Sequence, residues 1–149
     1  FTIALVSKES YYDKVMQGKA SFSIQQAKGF ALFEQHCNHC HTAPLFYSNR
    51  FEKNGLVIDT SDLGRYEITG LPADREKFRV PSLRNISHSF PYMHDGRFKS
   101  LKEVLAHYGK EMSLTDMQQK DLISFLKTLT DTSFLRNPQF QFHTLNPSL

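Results

Sequence analysis

The chain has 149 residues, 18 basic and 15 acidic side chains, and a formal net charge of +3. Its basic residues are scattered singly, without a Lys/Arg run or a basic-aromatic stripe, which argues against nucleic acid as a partner. No apolar stretch approaches the roughly 18 residues that a membrane-spanning helix needs, so the chain is not expected to cross a membrane. Its length predicts one domain of ordinary size with a core of its own.

Two helices are predicted before the first cysteine. Apolar residues among the first 15 positions predict a short lead-in helix. Ser23 and Gln26 form a capping box, in which each side chain bonds the backbone N–H of the other residue, and this box predicts a helix that continues to about His36. Gly29 lies inside that helix, where glycine costs roughly 1 kcal/mol relative to alanine. We therefore expect another helix to cross closely at Gly29, four residues before Phe33.

Residues 37–41 read Cys-Asn-His-Cys-His, the Cys-x-x-Cys-His pattern of covalent haem attachment. In this pattern the thiols of Cys37 and Cys40 add across the two vinyl groups of a haem, and the imidazole of His41 ligates the iron. One short segment thereby tethers the cofactor and supplies its proximal ligand. The sequence predicts one covalently bound haem c.

Two other kinds of site can use the same cysteines. A Cys-x-x-Cys pair serves thiol redox chemistry in a βαβ context, but no such context is visible here. A structural zinc site needs four ligands, and the chain has no second cysteine pair to complete one. Since the chain contains only two cysteines, haem attachment is the preferred interpretation, and a zinc or thiol module is the alternative.

Residues 42–98 are typical of an irregular segment. No strand alternation is convincing there, and glycine and proline interrupt it at Pro44, Gly55, Gly64, Gly70, Pro72, Pro81, Pro91 and Gly96. Such a long segment is unusual in a compact domain. It is expected where the segment wraps a haem, because the cofactor then offers it an apolar surface. The predicted fold class is all-α, with a long irregular haem-wrapping loop.

Two further capping boxes predict two more helices. Ser100 and Glu103 begin a helix whose apolar side chains recur at helical spacing, and Gly109 is placed to end it. Thr115 begins the last helix, which should run to about Leu129. This last helix is the candidate for the close crossing with the first one.

Several motifs, in order along the chain, resemble one known family. Residues 78–86 read Phe-Arg-Val-Pro-Ser-Leu-Arg-Asn-Ile, and residues 90–98 read Phe-Pro-Tyr-Met-His-Asp-Gly-Arg-Phe. With residues 5–13 and 121–131, they resemble the C-terminal haem domain of the bacterial di-haem cytochrome c peroxidases and their MauG-like relatives. The glycine and the phenylalanine ahead of the haem motif are similar to those of the c-type cytochrome fold. The likeness covers nearly all of the chain.

The resemblance implies a cytochrome c-like fold over residues 21–131, a lead-in from a missing N-terminal haem domain over residues 1–20, and a C-terminal tail over residues 132–149. In the family the N-terminal haem meets peroxide, and the C-terminal haem relays electrons from a donor. The chain is therefore expected to be the electron-transfer domain of an enzyme that reduces hydrogen peroxide or drives a MauG-like oxidation, with its peroxidatic site in the missing domain. A free-standing mono-haem cytochrome c electron carrier is the alternative.

The resemblance also implies partners and a location. The missing N-terminal haem domain and a small electron-donor protein are the expected partners, and the family often forms homodimers. Covalent haem is attached outside the cytoplasm, so the motif implies an exported, periplasmic protein. The chain begins at Phe1 without a methionine, and we expect that a precursor start has been removed.

The iron needs a second axial ligand besides His41. A gap-free alignment with the family puts Tyr108 where the peroxidases carry methionine and the MauG-like proteins carry tyrosine, so the resemblance implies Tyr108 as the distal ligand. Met112, one helical turn later, is the alternative. Among the other candidates, Met93 is expected to line the haem, and His94 to lie near a propionate or the domain interface.

Charged side chains and backbone groups complete the predicted site. Arg79 is the favoured partner of a haem propionate, through a charge-assisted hydrogen bond, with Arg84 and Arg97 as alternatives. The resemblance further implies a calcium ion in the full-length enzyme, bound partly by backbone carbonyls near Ser89 and Pro91. No role is predicted for five other histidines, His36, His39, His88, His107 and His143.

Overall fold

Helices dominate the regular structure of residues 7–53, 55 and 62–140, the part of the chain that the structure, a computed structural model, describes. The helices of this part are α1 (Tyr11–Met16), α2 (Ile24–His36), α3 (Tyr66–Thr69), α4 (Leu101–Met112), α5 (Asp116–Lys127) and α6 (Thr132–Leu135). The strands are β1 (Phe51–Lys53) and β2 (Lys77–Arg79), and the 3-10 turns are Pro72–Asp74, Ile86–His88 and Pro138–Phe140. Within the described residues, no helix has the length and apolar character needed to cross a membrane.

The predicted helix crossing is confirmed, since α2 and α5 pack together at Gly29. A Cβ atom at Gly29 would lie 2.0 Å from the carbonyl oxygen of Asp121 and 2.9 Å from Cβ of Phe125. Only glycine therefore allows the two helices to approach so closely. One turn further along α2, Phe33 is buried beneath the crossing and is 1% exposed.

The core around this crossing is rich in aromatic rings. The ring centre of Phe33 lies 5.2 Å from that of Phe125 and 5.4 Å from that of Phe46, and Tyr12 of α1 lies 4.8 Å from Phe46. Aliphatic residues complete the core, namely Leu101, Leu105, Leu114, Leu122, Leu126 and Leu129. Because Phe46 follows the Cys-x-x-Cys-His motif by five residues, the core fixes the chain directly after the motif.

A small antiparallel sheet corrects the prediction of an all-α protein. β1 and β2 pair with Phe51 opposite Arg79, Glu52 opposite Phe78, and Lys53 opposite Lys77. Each strand has three residues, which is too short for alternation to be visible in the sequence. Apart from this sheet and from short helical turns, the described part of residues 42–98 is irregular, as predicted. The protein is thus mostly helical.

The prediction that Gly109 ends α4 is wrong. The helix continues to Met112, and Ser113, with φ of 52°, takes the left-handed conformation that ends it. The carbonyl of Gly109 accepts the N–H groups of Ser113 and Leu114. Gly109 is buried, and a Cβ atom there would lie 3.4 Å from the side chain of Gln119 on α5. A glycine in a helix contact was therefore mistaken for a helix terminator.

The starts of α2, α4 and α5 agree with the prediction. Ser23, Ser100 and Thr115 all form the predicted capping boxes. A fourth box, which the prediction missed, joins Ser10 and Asp13 at the start of α1. A short helix is thus present in the lead-in region, while the apolar residues that suggested it lie among residues 1–6, outside the described part.

The lead-in segment is bound to Asp131, the residue that caps the N-terminus of α6. This carboxylate is 2% exposed, and its Oδ2 accepts bonds from Ser7 Oγ at 3.2 Å and from the N–H groups of Lys8 and Glu9 at 3.0 and 2.9 Å. Burial acts to raise the pKa of Asp131, but these bonds and those from residues 133 and 134 lower it to about 2. The carboxylate is therefore ionised at neutral pH.

Candidate functional site

The Cys-x-x-Cys-His motif forms a tight turn at the C-terminal end of α2. Cys37 caps the helix, and its N–H bonds the carbonyl of Phe33 at 2.8 Å. The N–H groups of Cys40 and His41 both bond the carbonyl of Cys37, at 3.1 and 2.9 Å. The turn therefore gathers the three predicted haem-binding side chains at the end of one helix.

The ring of His41 is oriented by two backbone carbonyls. Its Nδ1 lies 3.2 Å from the carbonyl oxygen of Phe46 and 3.0 Å from that of Pro81. A carbonyl only accepts, so Nδ1 carries the proton and Nε2 keeps its lone pair. Burial lowers the pKa of His41, while the two hydrogen bonds oppose that effect. A metal-binding histidine needs a free nitrogen whose opposite N–H is held by an acceptor.

The two thiols are protonated at neutral pH. Burial raises the pKa of Cys37 to about 11 and also raises the pKa of Cys40. Thiol exchange uses the thiolate, so these environments do not favour the thiol-redox alternative. In the part of the chain described, no group of three or more His, Cys, Asp or Glu side chains is placed to hold a metal ion. The donor set fits a haem better than it fits a free metal ion.

Tyr108 and Met112 lie one turn apart on α4. Tyr108 is half-buried, and its ring lies 4.9 Å from that of its neighbour His107. Met112 is also half-buried, and it packs against the hydrophobic core. Ligation of iron by either residue remains a prediction.

Met93 and His94 lie in a turn with a constrained backbone. Met93 has φ of 71°, which is uncommon for a residue other than glycine. The ring of His94 stacks on Phe78 with 3.7 Å between ring centres, and its Nε2 lies 3.2 Å from Asp62 Oδ2. Sequence reasoning missed both of these partners, because they come from distant parts of the irregular segment.

The three candidate arginines have different surroundings. Arg79 is exposed at the end of β2 and lines an open cavity of about 640 Å³. Arg84, an alternative propionate partner, instead has its side chain buried against Asp13. Arg97 pairs with Asp95 at 2.5 Å. Arg79 and Arg97 are both exposed, but the charge of Arg97 is already paired with Asp95, which favours Arg79 as the propionate partner.

The remaining candidates carry no further support. Ser89 and Pro91 are exposed, and a calcium site at their carbonyls remains a prediction. His143 lies outside the described residues. The other unassigned histidines are described, and none joins a group of metal-binding side chains there.

Two curated relatives match this chain over most of its length. It is 34% identical over 158 aligned residues to cytochrome c551 peroxidase of Nitrosomonas europaea, covering 99% of the chain and 46% of the relative. It is 35% identical over 147 residues to the methylamine utilization protein MauG of Methylorubrum extorquens, covering 87% of the chain and 41% of the relative. The chain thus spans less than half the length of these relatives. No protein-family profile matches it.

Two solved structures share the fold. The first is a MauG-like protein associated with microbial copper homeostasis, with a TM-score of 0.83 and 31% identity over 91% of this chain and 52% of that one. The second is a variant of the dihaem peroxidase BthA from Burkholderia thailandensis, with a TM-score of 0.72 over 85% of this chain and 46% of that one. At 20% identity, the second match speaks for the fold alone.

Proposed function

Because the chain belongs to the family of the cytochrome c peroxidases and MauG, we propose that it is an electron-transfer haem c domain of such an enzyme. The geometry of His41 carries this proposal. Its Nδ1–H is held by two carbonyls, which leaves Nε2 for a metal, and the same turn carries both thiols. Covalently attached haem uses these three side chains together.

Each residue of the proposed site has one task. Cys37 and Cys40 hold the cofactor through thioether bonds, and His41 ligates its iron. Arg79, exposed at the end of β2, would pair with a propionate. When bound, the haem supplies a one-electron iron couple.

We propose Tyr108 as the second axial ligand. Met112 packs against the hydrophobic core, and this use of its side chain supports Tyr108 over Met112. Tyrosine ligation would favour the ferric state and lower the reduction potential, whereas methionine would raise it.

The activity of the whole enzyme is part of the proposal. Reduction of hydrogen peroxide to two waters consumes two electrons and two protons, which a small donor protein and solvent would provide. In the proposed enzyme an N-terminal haem domain meets the peroxide, or directs the oxidising equivalents to another substrate as MauG-like enzymes do. Periplasmic location, calcium bound near Ser89 and Pro91, and a homodimer belong to the same proposal.

Covalent haem attachment tests the proposed function. Protein produced with a haem c attachment system is expected to keep its haem through acid–acetone extraction, and the C37A/C40A variant is expected to lose all of it. The control is Thr42→Ala, which removes a hydroxyl that bonds the Asn38 carbonyl and should leave attachment unchanged. Covalent haem in the double variant, or its absence from the unaltered protein, would overturn the proposal.

A pair of variants tests the distal ligand. Y108F is expected to change the ferric absorption spectrum and raise the reduction potential, because a tyrosinate ligand is lost. M112L keeps the volume of the side chain and should leave the ferric spectrum unchanged. An unchanged ferric spectrum in Y108F together with a changed one in M112L would identify Met112 as the distal ligand.

A further inference from the structure

Arg84 and Asp13 form a buried ion pair between α1 and the segment that follows β2. Nη1 and Nη2 of Arg84 lie 2.5 and 2.7 Å from the two carboxylate oxygens, and the side chains of Arg84 and Asp13 are 8% and 12% exposed. Burial acts to raise the pKa of Asp13, but the bonds from Arg84 and Ser10 outweigh it and lower the pKa. The carboxylate of Asp13 is therefore ionised at neutral pH, and it faces a guanidinium, a group that is always charged in proteins.

The same guanidinium binds the segment that follows the haem motif. Nε and Nη2 of Arg84 both donate to the carbonyl of Pro44. Next to this contact, Ser82 Oγ donates to the carbonyl of Leu45 at 2.6 Å, and the N–H of Leu83 donates to the carbonyl of Phe46 at 3.1 Å. The segment after the motif and the segment after β2 are thus held in register at three successive positions.

The two acceptors of the His41 ring lie on these two segments. Phe46 belongs to the first and Pro81 to the second, and both carbonyls bond Nδ1 of His41. The spacing of the segments therefore sets the length of both hydrogen bonds. We propose that the Asp13–Arg84 pair is a positioning element for His41, which fixes the hydrogen bonds of the axial imidazole. This inference rests on the proposed role of His41 as a haem ligand.

Stability alone does not explain a charged pair at this place. The desolvation cost of a buried ion pair offsets most of the attraction between its charges. An apolar pair of similar size often stabilises the folded protein as much or more. Asp131 already anchors the lead-in segment by other bonds. An apolar side chain in place of Arg84 could not bind the Asp13 carboxylate and the Pro44 carbonyl at the same time. The planar guanidinium of Arg84 binds both.

The consequence for the iron has a definite sign. A strong bond from Nδ1–H makes the imidazole a more basic ligand, and a more basic ligand favours the ferric state. Loosening the Asp13–Arg84 pair should weaken that bond and raise the reduction potential. The backbone that leads into α1 is thereby linked to the iron through Arg84 and the carbonyls around His41.

The reduction potential of the haem-loaded protein tests this link. D13N removes the negative charge of the carboxylate. R84K keeps the positive charge but loses the planar guanidinium that binds two acceptors at once. Each is expected to raise the ferrous-to-ferric ratio at a fixed ambient potential by about threefold, equivalent to roughly 30 mV for one electron, and to shift the NMR resonance of the His41 Nδ1 proton. D131N, the control, removes a carboxylate that anchors the same segment without contacting Arg84, and should change neither quantity.

The outcomes separate this inference from the proposed function. Unaltered potentials in D13N and R84K, with covalent haem in place, would overturn the positioning role alone. An equal shift in D131N would also overturn it, because general loosening of the lead-in segment would then explain the effect. If either D13N or R84K fails to fold, the other carries the test. The unaltered protein without covalent haem would instead overturn the proposed function.

Discussion

Asp131 is a residue whose contribution to stability depends on pH. Its Oδ2 accepts three bonds from residues 7–9, and its Oδ1 accepts from Ser133 Oγ at 2.5 Å and the N–H of Phe134 at 2.9 Å. The pKa of Asp131 is about 2 in the folded protein, against roughly 3.9 for an unfolded aspartate. A depressed pKa stabilises the folded state fully above the unfolded value, and this stabilisation disappears as pH falls toward the folded value.

We therefore predict that D131N lowers the free energy of unfolding by about 2 kcal/mol at pH 7. The difference from the unaltered protein should be constant above about pH 5 and should vanish as pH falls from roughly 4 to 2, because the unfolded chain takes up the proton first. Urea unfolding at a series of pH values measures this. A difference that persists unchanged at pH 2 would contradict the assignment.

Gly29 is a residue whose importance lies in the absence of a side chain. G29A should lower the free energy of unfolding by about 3 kcal/mol or more, because the new Cβ meets the Asp121 carbonyl oxygen at 2.0 Å and α2 must move away from α5. G109A is the matched control, since among the described residues its Cβ would meet just the Gln119 side chain, at 3.4 Å. Alanine there should be neutral or stabilising by up to about 1 kcal/mol. Chemical denaturation compares the two, and equal effects would contradict this account.

At the scale of elements, the helix starts could be predicted and the end of α4 could not. A capping box is local, because its two partners lie three residues apart and always meet at a helix start. A glycine in a helical pattern can either end the helix in the left-handed conformation or allow another element to pack closely against the helix. Which one applies at Gly109 depends on Gln119, a contact from another helix that the local pattern does not contain.

The same reasoning gives a prediction for the end of α4. Ser113 adopts φ of 52° and ψ of 37°, a conformation that glycine takes without the clash of a Cβ atom. S113G should therefore raise the free energy of unfolding by about 1 kcal/mol, and S113V should lower it, because a branched side chain worsens the clash. Thermal and urea unfolding measure both changes. A destabilising S113G would show that another interaction holds this turn.

At the scale of the whole molecule, the proposed haem-binding side chains could be predicted from the sequence, but the groups that orient His41 could not. Cys37, Cys40 and His41 are adjacent, so their pattern is visible in the sequence. The acceptors of the His41 ring are backbone carbonyls, which every residue carries, and one comes from Pro81, 40 residues away. The Asp13–Arg84 pair spans 71 residues. No local pattern links such partners; only the folded path of the irregular segment brings them together.

The irregular segment has few buried apolar side chains of its own. Within the described part of residues 42–98, the buried apolar residues are Phe46 and Val80, whereas α2 and α5 share a dense aromatic core. Local opening is easy where little apolar surface is buried. A covalently attached haem would supply the missing apolar surface to this segment, while the crossing of α2 and α5 already has its partners.

We therefore predict that the haem stabilises residues 42–98 far more than it stabilises the helix pair. In C37A/C40A protein made without haem, amides of α2 and α5 should keep most of their protection against hydrogen exchange. Amides of residues 42–98 should exchange on the order of a hundredfold faster than in the haem-loaded protein, equivalent to about 2.7 kcal/mol of local opening free energy. Equal loss of protection in the helix pair would mean that the core itself depends on the cofactor, because a crossing packed around Gly29 should otherwise persist without it.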